Sequence, residues 1–460
     1  MGKTKTGIQE GFRTSGRERW AFALFMSGQT MFNQLFNAFG QKFMTDMGIA
    51  AVVVGIIITS VRIFDAINDP IFGGIIDRAH LKGGKFIPWL KLSAFLLPLC
   101  TIGMYFMPAS LNIGSKIAWA AVFSTLFSVA YTICDVPIFS MLTAVTDNSQ
   151  ERVQIISFNS IIAAFAMLIA LVGIPALYPK IGWNFTSLFV IALAFPLMLA
   201  IGRHGRERYV NKDPEKVTIK AMFNYVKINP HMRTYFIGLL IFFSTSTTGQ
   251  AAVYFADYNL GNPAMQGQIT LAMFVPALIF VIILPMLTRH IDKFKIFMFC
   301  LFGQVFISIV SFFVGYGNIA LFTALMAVRG IFWGGNTMMM NMFNPDFIEF
   351  GEYKTGKRLQ GTMNSLQTFI YKLFTAIAGG FVMFILSWAG FREGGGIAQP
   401  QLTLDSIWFL VSLMPAVGGL VSLVFFLRYR LRDRDVQLMA KVNSGELARE
   451  EAEAKLSRNY

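Results

Sequence analysis

The stretch Val61-Arg62-Ile63-Phe64-Asp65-Ala66-Ile67-Asn68-Asp69-Pro70 places three charged side chains and an amide inside an apolar segment. The apolar run 49–58 precedes it, and the run 71–76 follows it. A charged side chain in hydrocarbon costs about 2.5–3.5 kcal/mol, so such residues face a protein interior or a water-filled cavity. Arg62, Asp65 and Asp69 follow one another at spacings of three and four residues and therefore share one helical face.

Two neighbouring carboxylates cannot both stay ionised in a dry site without a bound cation or a proton. The stretch therefore predicts a cation site built on Asp65 and Asp69. The alternative is a structural network in which Arg62 and the two carboxylates hold helices together. Both interpretations can apply to one protein. A transporter could change conformation by breaking and re-forming such a charge network.

The composition is that of a polytopic membrane protein. Of the 460 residues, 55% are hydrophobic and 14% are charged, and the mean hydropathy is +0.56. Soluble domains carry about 25% charged residues. Residues 1–19 are basic but contain no apolar core of a signal peptide, so we expect the first apolar segment, which begins at Trp20, to remain in the protein.

The charge and cysteine content exclude several functional classes. The net charge of +14 would suggest a nucleic-acid partner in a soluble protein, but here the basic residues cluster in loops at segment ends, as membrane orientation requires. We therefore expect no nucleic-acid partner. Cys100, Cys134 and Cys300 lie in apolar segments without a motif spacing, which predicts no disulfide framework. The four histidines form no pattern of metal ligands, so we expect no catalytic metal.

Apolar windows of about 20 residues can span a bilayer, and twelve such windows occur. They cover 20–45, 50–76, 87–108, 117–144, 153–178, 184–202, 232–256, 266–288, 294–315, 318–344, 362–389 and 403–427. Lys and Arg cluster at both termini and in the even-numbered loops, whereas the opposite loops are short and poor in them. This asymmetry predicts that both termini are cytoplasmic.

The longest internal polar stretch divides the twelve segments into two sets of six. We predict a cytoplasmic N-terminus (1–19), an N-terminal six-helix half (20–202), a central cytoplasmic loop (203–231), a C-terminal six-helix half (232–427) and a cytoplasmic tail (428–460) with an exposed helix near 446–455. The expected fold is an all-α membrane protein with twelve transmembrane helices in two six-helix halves. That is the layout of the major facilitator superfamily, in which a central site lies between the halves.

Other segments also carry polar residues. The fourth contains Tyr131-Thr132-Ile133-Cys134-Asp135-Val136-Pro137, in which Thr132 and Asp135 share a face, and the eleventh contains Lys372. Oxygen ligands suit a small hard cation, so Asp65, Asn68, Asp69 and Thr132 are candidate ligands of Na⁺, and a proton on one carboxyl is the alternative. Lys372 either responds to the bound cation or forms a salt bridge that only stabilises packing.

Four motifs resemble the melibiose permease-like glycoside–pentoside–hexuronide:cation symporter family of the major facilitator superfamily. The stretch 62–70 is similar to the family's second-helix signature, and 131–137 to its fourth-helix motif. Gly84-Lys85-Phe86-Ile87-Pro88-Trp89 resembles the segment that opens the third helix. Gly351-Glu352-Tyr353-Lys354-Thr355-Gly356 resembles the loop before the eleventh helix, and Lys372 follows at the expected distance.

The resemblance implies a function. It predicts a transporter in the cell membrane that imports a sugar or glycoside together with Na⁺, Li⁺ or H⁺. The implied cation ligands are Asp65, Asn68, Asp69 and Thr132. Asp135 would accept hydroxyls of the sugar, and Lys372 would link the two sites. Apart from the coupling ion we expect no cofactor, and a monomer suffices for this architecture.

The sugar-binding residues depart from those of galactoside-transporting members. The first helix has Gln29 in a region where those members carry an acid, and Phe139 stands where they have Trp. An Arg of their fifth helix is replaced near Asn159, and the aromatic residue of the tenth helix is displaced to Trp333. We therefore do not transfer galactoside specificity. The predicted substrate-binding residues are Asp135, Lys372, Arg62, Phe139, Gln29, Asn159 and Trp333.

Three other functions compete with sugar import. The first is Na⁺-coupled transport of an anionic or amphipathic substrate, such as a lysolipid, sulfonate or uronide, with Arg329 and Lys372 on its head group. The second is proton-coupled drug export, which predicts a broad apolar cavity. The third is a membrane enzyme, and the absence of a nucleophile–base pair in the sequence argues against it.

Overall fold

The described part of the chain is helical. The computed structural model describes residues 14–79, 81–146, 148–208 and 219–458. Within those ranges the chain forms α-helices, one π-helical turn (Phe255–Asn259) and no β-strand. This confirms the predicted all-α class. Most of the predicted N-terminus and residues 209–218 of the predicted central loop lie outside the described residues.

The helices fall into two compact units. The first comprises the described residues within Met1–Pro214 together with Val253–Gly267 and Gly379–Leu404. The second comprises those within Glu215–Ala252, Gln268–Ala378 and Asp405–Tyr460. The first contains α1 (Gly16–Asp46), α2 (Ala51–Arg78), α3 (Ile87–Tyr105), α4 (Ile113–Val145) and α5 (Ser149–His204).

The remaining helices belong wholly or partly to the second unit. They are α6 (Ile219–Ile228), α7 (Pro230–Ser244), α8 (Thr248–Tyr254), α9 (Met265–Leu287), α10 (Lys293–Val314), α11 (Ile319–Met342), α12 (Asn344–Thr355), α13 (Gln360–Trp388), α14 (Gln401–Ser412), α15 (Met414–Phe426), α16 (Asp433–Asn443) and α17 (Arg449–Lys455). Each of the twelve predicted segments overlaps one or two of these elements.

The helices that can cross a membrane match the predicted segments closely. In the described part of the chain, nine are long and apolar enough, and the pair α14 and α15, bent by 47°, makes a tenth. The long helix α5 contains two predicted segments, 153–178 and 184–202, and a kink at Gly182 separates them. The φ of Gly182 is 77°, a backbone conformation that favours glycine. The helix α1 is not among the ten, since the amides Gln29, Asn33 and Gln34 interrupt its apolar surface.

In the second unit, Arg329 joins two broken helices. Its fully buried guanidinium donates hydrogen bonds to the Val411 carbonyl at 2.7 Å and to Thr248 Oγ1 at 2.6 Å. Thr247 Oγ1 donates to the Leu410 carbonyl at 2.6 Å. The bend between α14 and α15 frees these carbonyls, and the side chains satisfy them, as backbone groups in a membrane require. Arg329 is thus committed to helix packing, which argues against its role on a substrate head group.

In the C-terminal tail, α16 packs against α12. Every residue of α17 except Ala452 is exposed, so the prediction of an exposed helix near 446–455 is confirmed. Met439 on α16 and Ala452 on α17 are fully buried. The side-chain nitrogen of Asn443 donates to the Glu349 carbonyl of α12 at 3.0 Å. Charge patterning predicted the exposure of α17, but it does not show that a neighbouring helix covers one face of α16.

The motif 84–89 forms the start of α3. The carboxylate of Glu207 accepts hydrogen bonds from the backbone N–H groups of Lys85, Phe86 and Ile87 at 2.6, 2.9 and 2.8 Å. A Cβ on Gly84, whose φ is +122°, would lie 2.5 Å from this carboxylate. The glycine therefore admits an anion at the positive end of the helix dipole.

We predict that Glu207→Ala destabilises the first unit by about 1–3 kcal/mol, because it leaves backbone donors at the start of α3 without their charged acceptor. The measurement is the thermal unfolding midpoint of the purified protein in detergent. Glu450→Ala, on the exposed side of the tail, is the matched control. An unchanged midpoint for Glu207→Ala would contradict the capping role.

Candidate functional site

The charged stretch of α2 faces two hydroxyls of α4. Thr132 Oγ1 lies 3.1 Å from Oδ1 of both Asp65 and Asp69. Ser128 Oγ donates to Asp65 Oδ1 at 2.9 Å. Thr132 is fully buried, and Ser128 is nearly so. The structure therefore brings together three of the four predicted cation ligands and adds Ser128. We name the group Asp65, Asp69, Ser128 and Thr132 the oxygen cluster.

Helix periodicity explains why these four side chains meet. The carboxylates are four residues apart on α2, and the hydroxyls are four residues apart on α4, so each pair lies on one face. The two helices pack along each other within the first unit. Such a set of carboxylate and hydroxyl oxygens suits a small hard cation.

The fourth predicted ligand, Asn68, has no described contact with the cluster. Its amide nitrogen is buried and has no hydrogen-bond partner among the described residues. A buried polar group without a partner is costly, which leaves the amide available for a ligand or a rearrangement. The role of Asn68 in cation binding stays a prediction.

Sequence analysis missed Ser128, although a signal for it was present. Ser128 lies one helical turn before Thr132. Extending the polar face of the fourth segment backwards by four residues would have reached it. The sequence did not show that two successive turns of α4, at Ser128 and at Thr132, both contact α2.

Arg62 lies where α1, α2 and α13 approach one another in the first unit. Its Nη2 donates to Asn37 Oδ1 of α1 at 3.3 Å, and the side chain is only 8% exposed. A Cβ on Gly379 would lie 3.2 Å from Arg62 Nη1 and 2.7 Å from Gln41 Nε2. The missing side chain of Gly379 thus makes room for the guanidinium one turn from Asp65.

Two of the predicted substrate-binding residues are in contact. Gln29 Nε2 of α1 donates to Asp135 Oδ1 of α4 at 2.6 Å. Gln29 is buried, whereas Asp135 is partly exposed. The pair couples the first-helix amide to the fourth-helix carboxylate, and the carboxylate retains acceptor capacity for other donors.

The other predicted substrate-binding residues are spread more widely. Asn159 is buried in the first unit, and neither of its amide atoms has a hydrogen-bond partner among the described residues. Phe139 is 54% exposed. In the second unit, Trp333 packs on Phe274 with ring centroids 5.1 Å apart, and Lys372 is half-buried on α13. Their participation in a common site stays a prediction.

A second charged cluster in the first unit was also missed from the sequence. The fully buried Lys42 contacts Asp46 on its own helix and lies 2.7 Å from Asp257 Oδ2 and 3.3 Å from the Tyr258 hydroxyl. Asp46 also accepts a hydrogen bond from Trp183 Nε1 at 3.0 Å. Sequence spacing shows the pair Lys42 and Asp46, but Asp257 is distant along the chain. We name these five residues the Lys42 cluster.

Comparisons with known proteins agree with the helical architecture and with transport of sugars. A family model described as MFS/sugar transport protein matches residues 21–433. The isoprimeverose transporter of Lactiplantibacillus pentosus is 27% identical over 442 residues, which cover 92% of this chain and 90% of that protein. The glucuronide carrier protein homolog of Escherichia coli K12 is 24% identical over 406 residues, 85% and 88% of the two chains.

A solved structure supports the fold alone. The nucleoside transporter NupG is similar with a TM-score of 0.64 and 14% identity, over 90% of this chain and 100% of that one. This likeness confirms the predicted major facilitator superfamily fold. The chain is a multi-pass membrane transporter and not an enzyme. It belongs to the MFS/sugar transport family, within the glycoside–pentoside–hexuronide branch of the major facilitator superfamily.

Proposed function

We propose that this protein imports a sugar or glycoside together with a cation, Na⁺ in the first instance, by alternating access. The observation that carries the proposal is the oxygen cluster. Asp65 and Asp69 lie on either side of the Thr132 hydroxyl inside a membrane-spanning bundle. A bound cation would offset the repulsion between the carboxylates, so the energy of the site would depend on cation occupancy. Li⁺ and H⁺ are the other candidate coupling ions.

The proposed substrate site begins at the contact between Gln29 and Asp135. The Asp135 carboxylate can accept hydrogen bonds from sugar hydroxyls, and the Gln29 amide can both donate and accept them. A small number of such polar groups fixes the orientation of a ligand. Asp135 lies one turn beyond Thr132 on α4, so a change at the cation site can reach it through one helix. The isoprimeverose transporter among the relatives favours a glycoside as the substrate.

An anionic sugar is the second candidate substrate. The glucuronide carrier homolog among the relatives favours it, and Arg62 is the cation of the first unit that would bind a carboxylate or sulfonate. Arg329 donates a hydrogen bond to the Val411 carbonyl at the bend between α14 and α15. This contact argues against the prediction that Arg329 binds the head group of a lysolipid.

Alternating access requires that some contacts within the first unit break and re-form. The residues 253–267 and 379–404 come from the predicted C-terminal half, yet they pack with α1 and α2 in the first unit. The Lys42 cluster and the close approach of Gly380 to Thr59 are two of these contacts. We propose that they close the predicted extracellular side and separate when that side opens. The transporter would act as a monomer with both termini in the cytoplasm.

We expect Asp65→Asn and Asp69→Asn each to abolish cation-driven accumulation of substrate in membrane vesicles while leaving protein level and fold intact. Each change keeps the shape of the side chain but removes a charge that the cation would neutralise. Glu446→Gln, an exposed carboxylate of the tail, is the control. Wild-type accumulation by either variant would remove the oxygen cluster from consideration as the coupling site.

Thermal stabilisation of the purified protein identifies the substrate class. We expect a neutral glycoside or sugar to raise the unfolding midpoint in Na⁺ but not in K⁺ at fixed pH, because binding to the folded state stabilises it. The panel contains mono- and disaccharides, uronides, sulfonates and lysolipids. Stabilisation by uronides or sulfonates alone would support the anionic alternative, and stabilisation only by lysolipids would contradict sugar transport.

A reversible cross-link tests the proposed movement. A Cβ on Gly380 lies 3.6 Å from Cβ of Thr59, within the separation of about 3.5–4.5 Å that a disulfide needs. We expect oxidised Thr59→Cys/Gly380→Cys protein to lose transport and to regain it on reduction. Each single cysteine variant is a control, and the three native cysteines are buried and free. Full transport by the cross-linked protein would show that α2 and α13 need not separate here.

A further inference from the structure

The hydroxyl of Ser128 occupies a position in the oxygen cluster that the predicted ligand set does not include. It donates to Asp65 Oδ1 at 2.9 Å, the same oxygen that Thr132 Oγ1 reaches at 3.1 Å. The two hydroxyls come from successive turns of α4 and are both buried. A serine at a buried helix position can bond its own backbone four residues back, as Thr125 does with the Ala121 carbonyl, but Ser128 is turned toward α2.

The chemistry of a hydroxyl distinguishes two kinds of coupling ion. A hydroxyl that donates its hydrogen still has lone pairs on its oxygen, so Ser128 can ligate a metal cation from the side opposite Asp65. Hard metal cations bind several oxygens at once. A proton is bound by one carboxyl oxygen and can use at most one further acceptor. An added hydroxyl therefore strengthens the binding of a metal cation more than that of a proton.

We propose that Ser128 is a further ligand of the coupling-cation site and favours Na⁺ or Li⁺ over H⁺. This inference rests on the proposed function, because it requires a coupling cation at Asp65 and Asp69. It goes beyond that function by naming the residue that sets the ion preference. Ser128, Thr132 and the two carboxylates together supply oxygens from two turns of each helix, and these oxygens would surround a bound metal ion.

The experiment compares Ser128→Ala with wild type, using the full-length protein in proteoliposomes with NaCl and LiCl as probes. Uptake of the stabilising sugar is measured against Na⁺ concentration, and separately against a proton gradient without Na⁺. We expect the Na⁺ concentration for half-maximal uptake to rise about tenfold or more, a typical loss when one group around a metal is removed. Maximal uptake at saturating Na⁺ and any proton-driven uptake should stay at the wild-type level.

Two matched variants separate ligation from packing. Ser128→Thr keeps a hydroxyl at the same position and should retain tight Na⁺ binding. Thr125→Ala removes a hydroxyl from the same helix, one that bonds its own backbone, and should leave the Na⁺ titration unchanged. Unfolding midpoints of all variants, measured without Na⁺, show whether the changes alter the fold instead of the site.

The outcomes distinguish failure of this inference from failure of the proposed function. If Asp65→Asn abolishes Na⁺ dependence but Ser128→Ala titrates like wild type, Ser128 is not a ligand and the inference is overturned. An equal loss of Na⁺-driven and proton-driven uptake in Ser128→Ala also overturns it, because the serine then acts only in packing. If wild type shows no dependence on Na⁺, Li⁺ or H⁺, the proposed function itself fails.

Discussion

The close pairing of two carboxylates inside a membrane-spanning bundle is the constraint on which this structure depends. Exposure of Asp65 and Asp69 to lipid would be costly. The face of α2 that carries both carboxylates must therefore pack against other helices. That face meets the hydroxyl face of α4 at Thr132. Helix spacing thus determines which side of α2 is buried and brings the charged residues toward a polar neighbour.

The same requirement explains other buried charges, although the structure meets it in different ways. Lys42 has two carboxylates around it. Arg329 binds backbone oxygen and a hydroxyl where helices are broken. Glu207, which is only partly buried, accepts backbone N–H groups at a helix start. Each arrangement places a charge that has lost water beside groups of opposite charge or dipole, which offsets the loss of hydration.

Glycines determine how closely the helices around the charged face can approach. The Arg62 guanidinium lies so near Gly379 that a side chain on this residue would contact it. The next residue, Gly380, leaves space for the Thr59 side chain in the same way. A methyl group at Gly379 would displace the side chains of Gln41 or Arg62. One at Gly380 would overlap the Thr59 hydroxyl. Close contact through small residues suits helices in a membrane, and surfaces without interlocking side chains can also part and meet again.

Local pattern in the sequence was sufficient for the helical class, the membrane-crossing segments and the pairing of Asp65 with Asp69, because hydropathy and helical spacing act over a few residues. The contact of Thr132 with both carboxylates also followed from its place on a polar face and from the resemblance. The contacts of Ser128 with Asp65, Gln29 with Asp135, and Lys42 with Asp257 did not follow. Each joins residues that are distant along the chain, so it depends on which helices become neighbours and how each is rotated. Only the tertiary packing decides that, and the packing of α16 against α12 could not be predicted for the same reason.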